Sequence, residues 1–295
     1  MKIIPIGADS MGVRSMATFV ETSGNVKIII DPGVALAPER FDLAPHPVEK
    51  WMFNQVVERI KLYIRIADVV IITNYNPEHF YDISYTMYHK KHLLLKNPNT
   101  NIPAVQRNRA FGFIKYAKNK LCRLSVADNA SINLNGVTCK FSPPFFTGKE
   151  KKDTCIMVEI EDEINSLLFS SCVNGFEDPG IYNYLKNTSP DILYLDGPDV
   201  STIKTVDEES AVNEKFRRIS SVLEKLPVTE LILDHHIKRS VEWEKYITDI
   251  EAVAVTKNIK ITSASQLRGE EETLLEARRN VLYESDKKNQ QNLFV

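Results

Sequence analysis

The spacing of apolar residues switches several times along the chain, and each switch marks an element. "MKIIPIG", "MATFVETS" and "VKIIIDPG" have strand-like patterns, the stretch from Pro47 to Ile66 spaces its apolar residues as an amphipathic helix does, and "DVVIIT" is again a strand. "ASINLNGVTCKFSPP", with Asn135-Gly136 as its hairpin turn, "TCIMVEIED" and "NSLLFSS" predict a second β-rich block. The last third alternates: "PDILYLDGP", a helix from about Val206 to Leu226, "TELILDHH", a helix from about Val241 to Thr256, "NIKITSAS" and a charged terminal helix. Two strand-rich halves with helices outside predict an α/β protein, a four-layer αββα sandwich. One domain is expected over residues 1–283, with "ESDKKNQQNLFV" at 284–295 as a frayed polar tail.

Composition adds few constraints. With 295 residues, 43% of them hydrophobic, the chain has ample material for a core. A net charge of -2 with 26% charged residues gives no global attraction to nucleic acid or membrane. No segment approaches the ~18 apolar residues of a membrane span and no signal-peptide pattern opens the chain, so a cytoplasmic protein is expected. Cys122, Cys139, Cys155 and Cys172 form no CxxC pair, which argues against a zinc knuckle and for reduced thiols.

Candidate chemistry gathers where strands end. "GVRSMATFVET", "IDPGVALAPERF", "LAPHPVE", "VVIITNYNPEHF", "FSPPFFTGKE", "FSSCVNG", "DILYLDGP" and "LILDHH", in that order, resemble a largely archaeal branch of the metallo-β-lactamase superfamily, the predicted metal-dependent hydrolases. The resemblance spans Lys2 to about Tyr283 and implies an αββα sandwich with a metal site at one edge. It also implies a His-x-His-x-Asp-His loop after "VVIIT". Here Asn74 and Asn76 stand for the two leading histidines, Glu78 for the aspartate, and His79 matches. Thr147 replaces a further histidine, Cys172 the bridging aspartate, and the final histidine persists in His235-His236.

Amide side chains are poor ligands for transition metals, so Asn74, Asn76 and Thr147 predict an empty first metal position and, with it, no two-metal chemistry. The second position keeps carboxylate, imidazole and thiolate in Glu78, His79, Cys172 and His235, a set that suits one zinc ion. The family resemblance includes members with a cysteine at the position of Cys172. A structural reading stands beside this: Asn76-Pro77-Glu78 makes a good helix start, and Cys172 a buried core residue. Strand alternation would let only one of His235 and His236 face the site, with His235 favoured. Asp31 and Asp196 end strands in turn sequences and are candidates to support the site from behind.

From Tyr88 to Arg123 the chain holds Lys90, Lys91, Lys96, Arg107, Arg109, Lys115, Lys118, Lys120 and Arg123 and no carboxylate. Tyr88, Phe111, Phe113 and Tyr116 are interleaved, a mixture able to hold phosphates and stack bases, with Arg107, Arg109, Lys115 and Lys118 as the contacts. The competing reading is an amphipathic helix with Phe111, Ile114 and Leu121 inward and its lysines in solvent. Three functions therefore follow: an inactive, pseudoenzyme-like member that binds a protein partner and holds no cofactor, a single-zinc hydrolase, or a nucleic-acid-binding module.

Overall fold

The computed structural model describes residues 1–295 apart from 81–84, 118–121, 149–151 and 293–295. A first sheet follows chain order: β1 (Lys2–Pro5), β2 (Thr18–Glu21), β3 (Lys27–Ile30), β4 (Val69–Ile72), β5 (His92–Leu95) and β6 (Arg123–Val126). β1 to β3 form an antiparallel meander; β3 to β6 are parallel, and helices α1 (Pro47–Ile66) and α2 (Ala104–Ala117) lie in the β3–β4 and β5–β6 connections. β7 (Ser131–Leu134) and β8 (Val137–Phe141) then make the hairpin expected at Asn135-Gly136, both of which take the positive φ that a tight turn needs. A two-stranded ribbon, β9 (Phe145–Thr147) and β10 (Asp153–Cys155), leads into β11 (Val158–Glu161) and β12 (Ser166–Phe169).

The rest of the chain supplies α3 (Gly180–Leu185), β13 (Ile192–Leu195), α4 (Val206–Lys225), β14 (Glu230–Leu233), α5 (Thr248–Lys257), β15 (Lys260–Thr262), α6 (Ala264–Leu267) and α7 (Arg279–Asn292). The second sheet has the order β15-β14-β13-β12-β11-β8-β7 and is parallel from β12 to β15. Alternate residues of each strand serve different layers, as the two-residue period of a strand requires. Ile28, Ile30, Val69 and Ile71 meet Phe169, Tyr194 and Ile232 between the sheets. Ile29, Val70 and Ile72 pack outward under α1 and α2, and Leu168, Leu193, Leu195 and Leu233 under α3, α4 and α5. The architecture is the four-layer αββα sandwich.

Three local expectations are corrected. The helix expected from Val241 begins at Thr248, because residues 235–246 are spent on two short 3₁₀ turns, His235–Arg239 and Trp243–Tyr246. The segment expected as a frayed tail is helical through Asn292. Within α2, Phe111 faces solvent while Ala110, Phe113 and Ala117 are buried; Leu121 lies outside the described residues.

β3, β4, β12, β13 and β14 release their C-terminal ends toward one edge of the sandwich. In open α/β sheets that edge is where ligands bind.

Candidate metal centre

Five residues next to these strand ends, Asp31, Ser171, Asn174, Phe176 and His235, have positive φ without being glycine, the kind of strain that persists where the surroundings fix a functional geometry. After β3, Asp31 accepts from the Thr73 backbone N–H at 2.8 Å, so the loop that follows β4 is tied to its neighbour strand. Gly33 lets that loop close: a β-carbon there would sit 2.2 Å from the Phe80 nitrogen and 2.3 Å from the His79 carbonyl carbon. In that loop the His79 and Phe80 N–H groups both donate to the Asn76 carbonyl in a turn over residues 77–79, and the continuation of the expected helix start falls on residues 81–84, outside the described residues.

Cys172, at the exit of β12, is the centre of the arrangement. Its sulfur lies 2.9 Å from His79 Nε2, 3.4 Å from His236 Nε2 and 3.6 Å from His235 Nε2. Each ring turns its other nitrogen to a separate buried carboxylate: His79 Nδ1 lies 2.8 Å from Asp31, His235 Nδ1 2.7 Å from Asp9 and His236 Nδ1 3.1 Å from Asp196. Both adjacent histidines thus reach the site, against the expectation of strand alternation. β14 has already ended at Leu233, and the left-handed backbone of His235 (φ 72°) starts a 3₁₀ turn that stacks the two rings.

Glu78 completes the group. One donor atom from each of Glu78, Cys172, His235 and His236 falls within 4.8 Å of every other. Arg239, buried behind them, donates from Nε to Asp9 at 2.9 Å and places its guanidinium 3.8 Å from both Glu78 and Asp199. One cation therefore braces a candidate ligand and the carboxylate that orients another.

The electrostatics follow from burial. Burial, with the nearby Arg239 charge, pushes His235 and His236 well below the usual imidazole range, so both are neutral at pH 7. His79 goes the other way: burial opposes its charge, but the hydrogen bond to Asp31 and that carboxylate's charge outweigh it. Burial pushes the Asp196 carboxyl up to about 7. For Glu78, burial is outweighed by Arg239 and the histidines, and its carboxyl stays below the ordinary value. Burial, then the charges of Asp196 and Glu78, raise the Cys172 thiol well above its ordinary value.

A cleft of about 500 Å³ opens on this group, with Glu78, Cys172 and His236 at its floor and Asn76, Asp153 and Lys215 among its walls. Thr147 lies in β9 opposite Asp153 and also lines it. Asn74 and Asn76 join Gln106 of α2 and Asp153. Asn74 Oδ1 accepts from Asn76 N at 2.7 Å and from Gln106 Nε2 at 3.0 Å, and Asn76 Nδ2 donates to Asp153 at 3.0 Å.

Arg107, Arg109 and Lys115 of α2 are exposed. Arg107 donates to the Ile102 carbonyl, Arg109 to the Tyr75 carbonyl and Asn76 Oδ1, and Lys96 is buried against Asp128. Tyr88 and Phe113 are core residues, unavailable for stacking on bases. Lys118 lies outside the described residues.

Asp9, Arg239, Gln106 and Asp153 have no counterpart among the sequence-derived candidates. Asp9 follows β1 as Asp31 follows β3, so its place after a strand was a usable signal. Nothing local marks the other three.

Among the described residues no helix is long and apolar enough to cross a membrane. No protein-family model matches the chain. In fold it is similar to the metallo-β-lactamase fold protein YhfI from Bacillus subtilis (TM-score 0.55, 12% identity, 88% of this chain and 94% of that one). It is similar also to a possible metal-dependent hydrolase from Veillonella parvula (TM-score 0.51, 10% identity, 85% and 94%). Its fold is accordingly the metallo-β-lactamase fold. A UPF0282 protein of Korarchaeum cryptofilum is 34% identical over 286 residues, covering 96% of this chain and 95% of that protein, and one of Metallosphaera sedula is 32% identical over 291 residues, covering 97% and 94%. With identity of that level along nearly its whole length, the chain belongs to the UPF0282 family.

Proposed function

We propose that this chain is a hydrolase that works with a single divalent metal ion, zinc by the chemistry of its donors. The observation that carries the reading is the arrangement of three imidazoles around Cys172, two of them, His79 and His235, hydrogen-bonded through Nδ1 to their own carboxylates and the third, His236, 3.1 Å from Asp196. A carboxylate that takes the Nδ1 proton fixes the tautomer in which the Nε2 lone pair faces the centre, which is how metal-ligating histidines are oriented. Thiolate, imidazole and carboxylate together suit zinc better than magnesium or calcium. Cys172, His235, His236 and Glu78 would hold the ion, with His79 able to replace one of them. When bound, zinc supplies a Lewis acid and lowers the pKa of a coordinated water toward ~7.

The protein's own groups do the rest. Arg239 keeps Glu78 ionised and directed at the centre, Asp31 and Asp9 hold the Nδ1 protons of His79 and His235, and the Asp196 carboxylate lies 3.1 Å from His236 Nδ1. The described walls of the cleft carry the carboxylates of Glu78, Asp153, Glu177, Asp199 and Glu208 against one ammonium, Lys215, which is itself paired with Glu177. Such a cleft favours neutral or cationic substrates over polyanions.

The test is hydrolysis of matched ester, thioester and lactam probes, each in neutral, cationic and anionic versions, before and after chelation and zinc return. The proposal expects turnover that chelation abolishes and zinc restores, weakest for anionic probes. Zinc-loaded protein without turnover on any probe would favour the alternative of an inactive, binding member of the family.

A further inference from the structure

In the resemblance drawn from the sequence, positions 74, 76 and 147 surround a first metal. In this chain the residues there do not fit a transition metal, and the structure supplies something else. Gln106 is almost fully buried on α2, and its amide nitrogen lies 3.0 Å from Asn74 Oδ1, 3.4 Å from Asn76 Oδ1 and 3.4 Å from Asp153 Oδ1. Three oxygens from two segments, the loop after β4 and the start of β10, converge on one side-chain NH₂ group. An amide nitrogen carries partial positive charge and two protons, so together with Arg109, the Asn76 amide and the Asn76 backbone N–H it supplies donors to such an oxygen cup without a metal.

Arg109, three residues further along the same helix, donates to Asn76 Oδ1 at 3.1 Å and to the Tyr75 carbonyl at 3.3 Å. Residues three apart on a helix share a face, so α2 presents both donors to the same loop.

We infer that Gln106 is a built-in occupant of the first metal position: its amide nitrogen takes the place of the cation and limits the protein to one metal site. The fit is imperfect in an informative way. Asn74 Nδ2 and Gln106 Oε1 are buried with no hydrogen-bond partner among the described residues. A network with unpaired buried atoms is destabilising unless its remaining bonds matter. The cup is made of oxygens only, so what it lacks for holding a hard cation is one more negative oxygen in place of the amide nitrogen. This inference is independent of whether the site around Cys172 binds zinc, because no residue is shared between them.

The test is Gln106→Glu, which keeps shape and changes the donor to an acceptor. Manganese binding is counted by electron paramagnetic resonance, and thermal unfolding is followed with and without millimolar Mn²⁺ or Ca²⁺. The expected result is that the wild type binds no Mn²⁺ in the cup and its Tm ignores both ions. Gln106→Glu should lose stability in their absence, gain one Mn²⁺ per chain and recover its Tm when either ion is added. Wild-type Mn²⁺ binding that disappears in Asp153→Asn would overturn the inference, as would a folded Gln106→Glu that gains no ion. If that variant does not fold, Gln106→Met decides: loss of the donor should lower Tm by about 5 °C, and an unchanged Tm would count against the amide's role.

Discussion

At Gly33 a single missing methyl group separates a formed site from a broken one. The backbone of His79 and Phe80 occupies the space a side chain would need. Gly33→Ala should therefore push the loop and its imidazole away from Cys172, with a loss of about 1–3 kcal/mol in stability by overpacking and weaker zinc binding, read by denaturant unfolding and zinc titration. Asp9 acts from the other side. Asp9→Asn keeps a hydrogen-bond acceptor for His235 but removes the charge that Arg239 and the imidazole share, and zinc affinity should fall about 10 to 100-fold with the fold intact. Affinity equal to wild type would remove Asp9 from the account. Glu78, His79, Cys172 and the two histidines were legible as single letters because each stands at a strand end in a recognisable order. Asp9 offered only its place after β1 and Arg239 no local signal, since they meet His235 and Glu78 across 226 and 161 positions of the chain.

Between elements, legibility tracks how local the cause is. α1 begins and ends where its pattern says because Pro47, the His46–Glu49 capping box and its apolar spacing all agree. The expected helix at 241 fails because Lys238 and Trp243 are drawn together, the ammonium 3.2 Å from the indole centroid, and Lys238 also pairs with Glu272 at 2.8 Å, contacts invisible to periodicity. A turn between β11 and β12 carries another such contact. Asp162 accepts from Ser23 N at 2.8 Å, joining the β2–β3 turn of the first sheet to the second, and also from Ile164 N and Asn165 N. Burial opposes its charge, but these N–H groups outweigh it and hold its pKa down to about 2. A depressed carboxyl stabilises the fold above its unfolded pKa and loses that contribution as pH falls through the folded value. The wild type should lose stability between roughly pH 4 and pH 2 at this site, and Asp162→Asn should show a shallower loss in that window by urea unfolding at each pH.

The whole molecule closes through its last helix. Arg279 of α7 is fully buried; it donates twice to Glu49 at 2.8 Å and to the carbonyls of Leu43 and Ala37. Arg279→Met leaves Glu49 without its buried partner and should cost about 3–5 kcal/mol in unfolding free energy, measured with denaturant. Charge content at the C-terminus suggested fraying because the anchoring arginine lies just before the polar run. The sandwich itself was readable from alternation, since each strand sends successive residues to different layers. The candidate centre takes residues from both sheets, with His79 after β4 of one and Cys172, His235 and His236 after strands of the other, so metal content reports on the entire assembly. The most direct measurement is elemental analysis of protein purified without a metal-affinity tag, repeated after zinc addition and dialysis, for the wild type and for Cys172→Ala with His236→Ala. The account predicts one zinc per wild-type chain and almost none in the double variant; wild-type protein far below one zinc, or a double variant that retains it, would contradict the account.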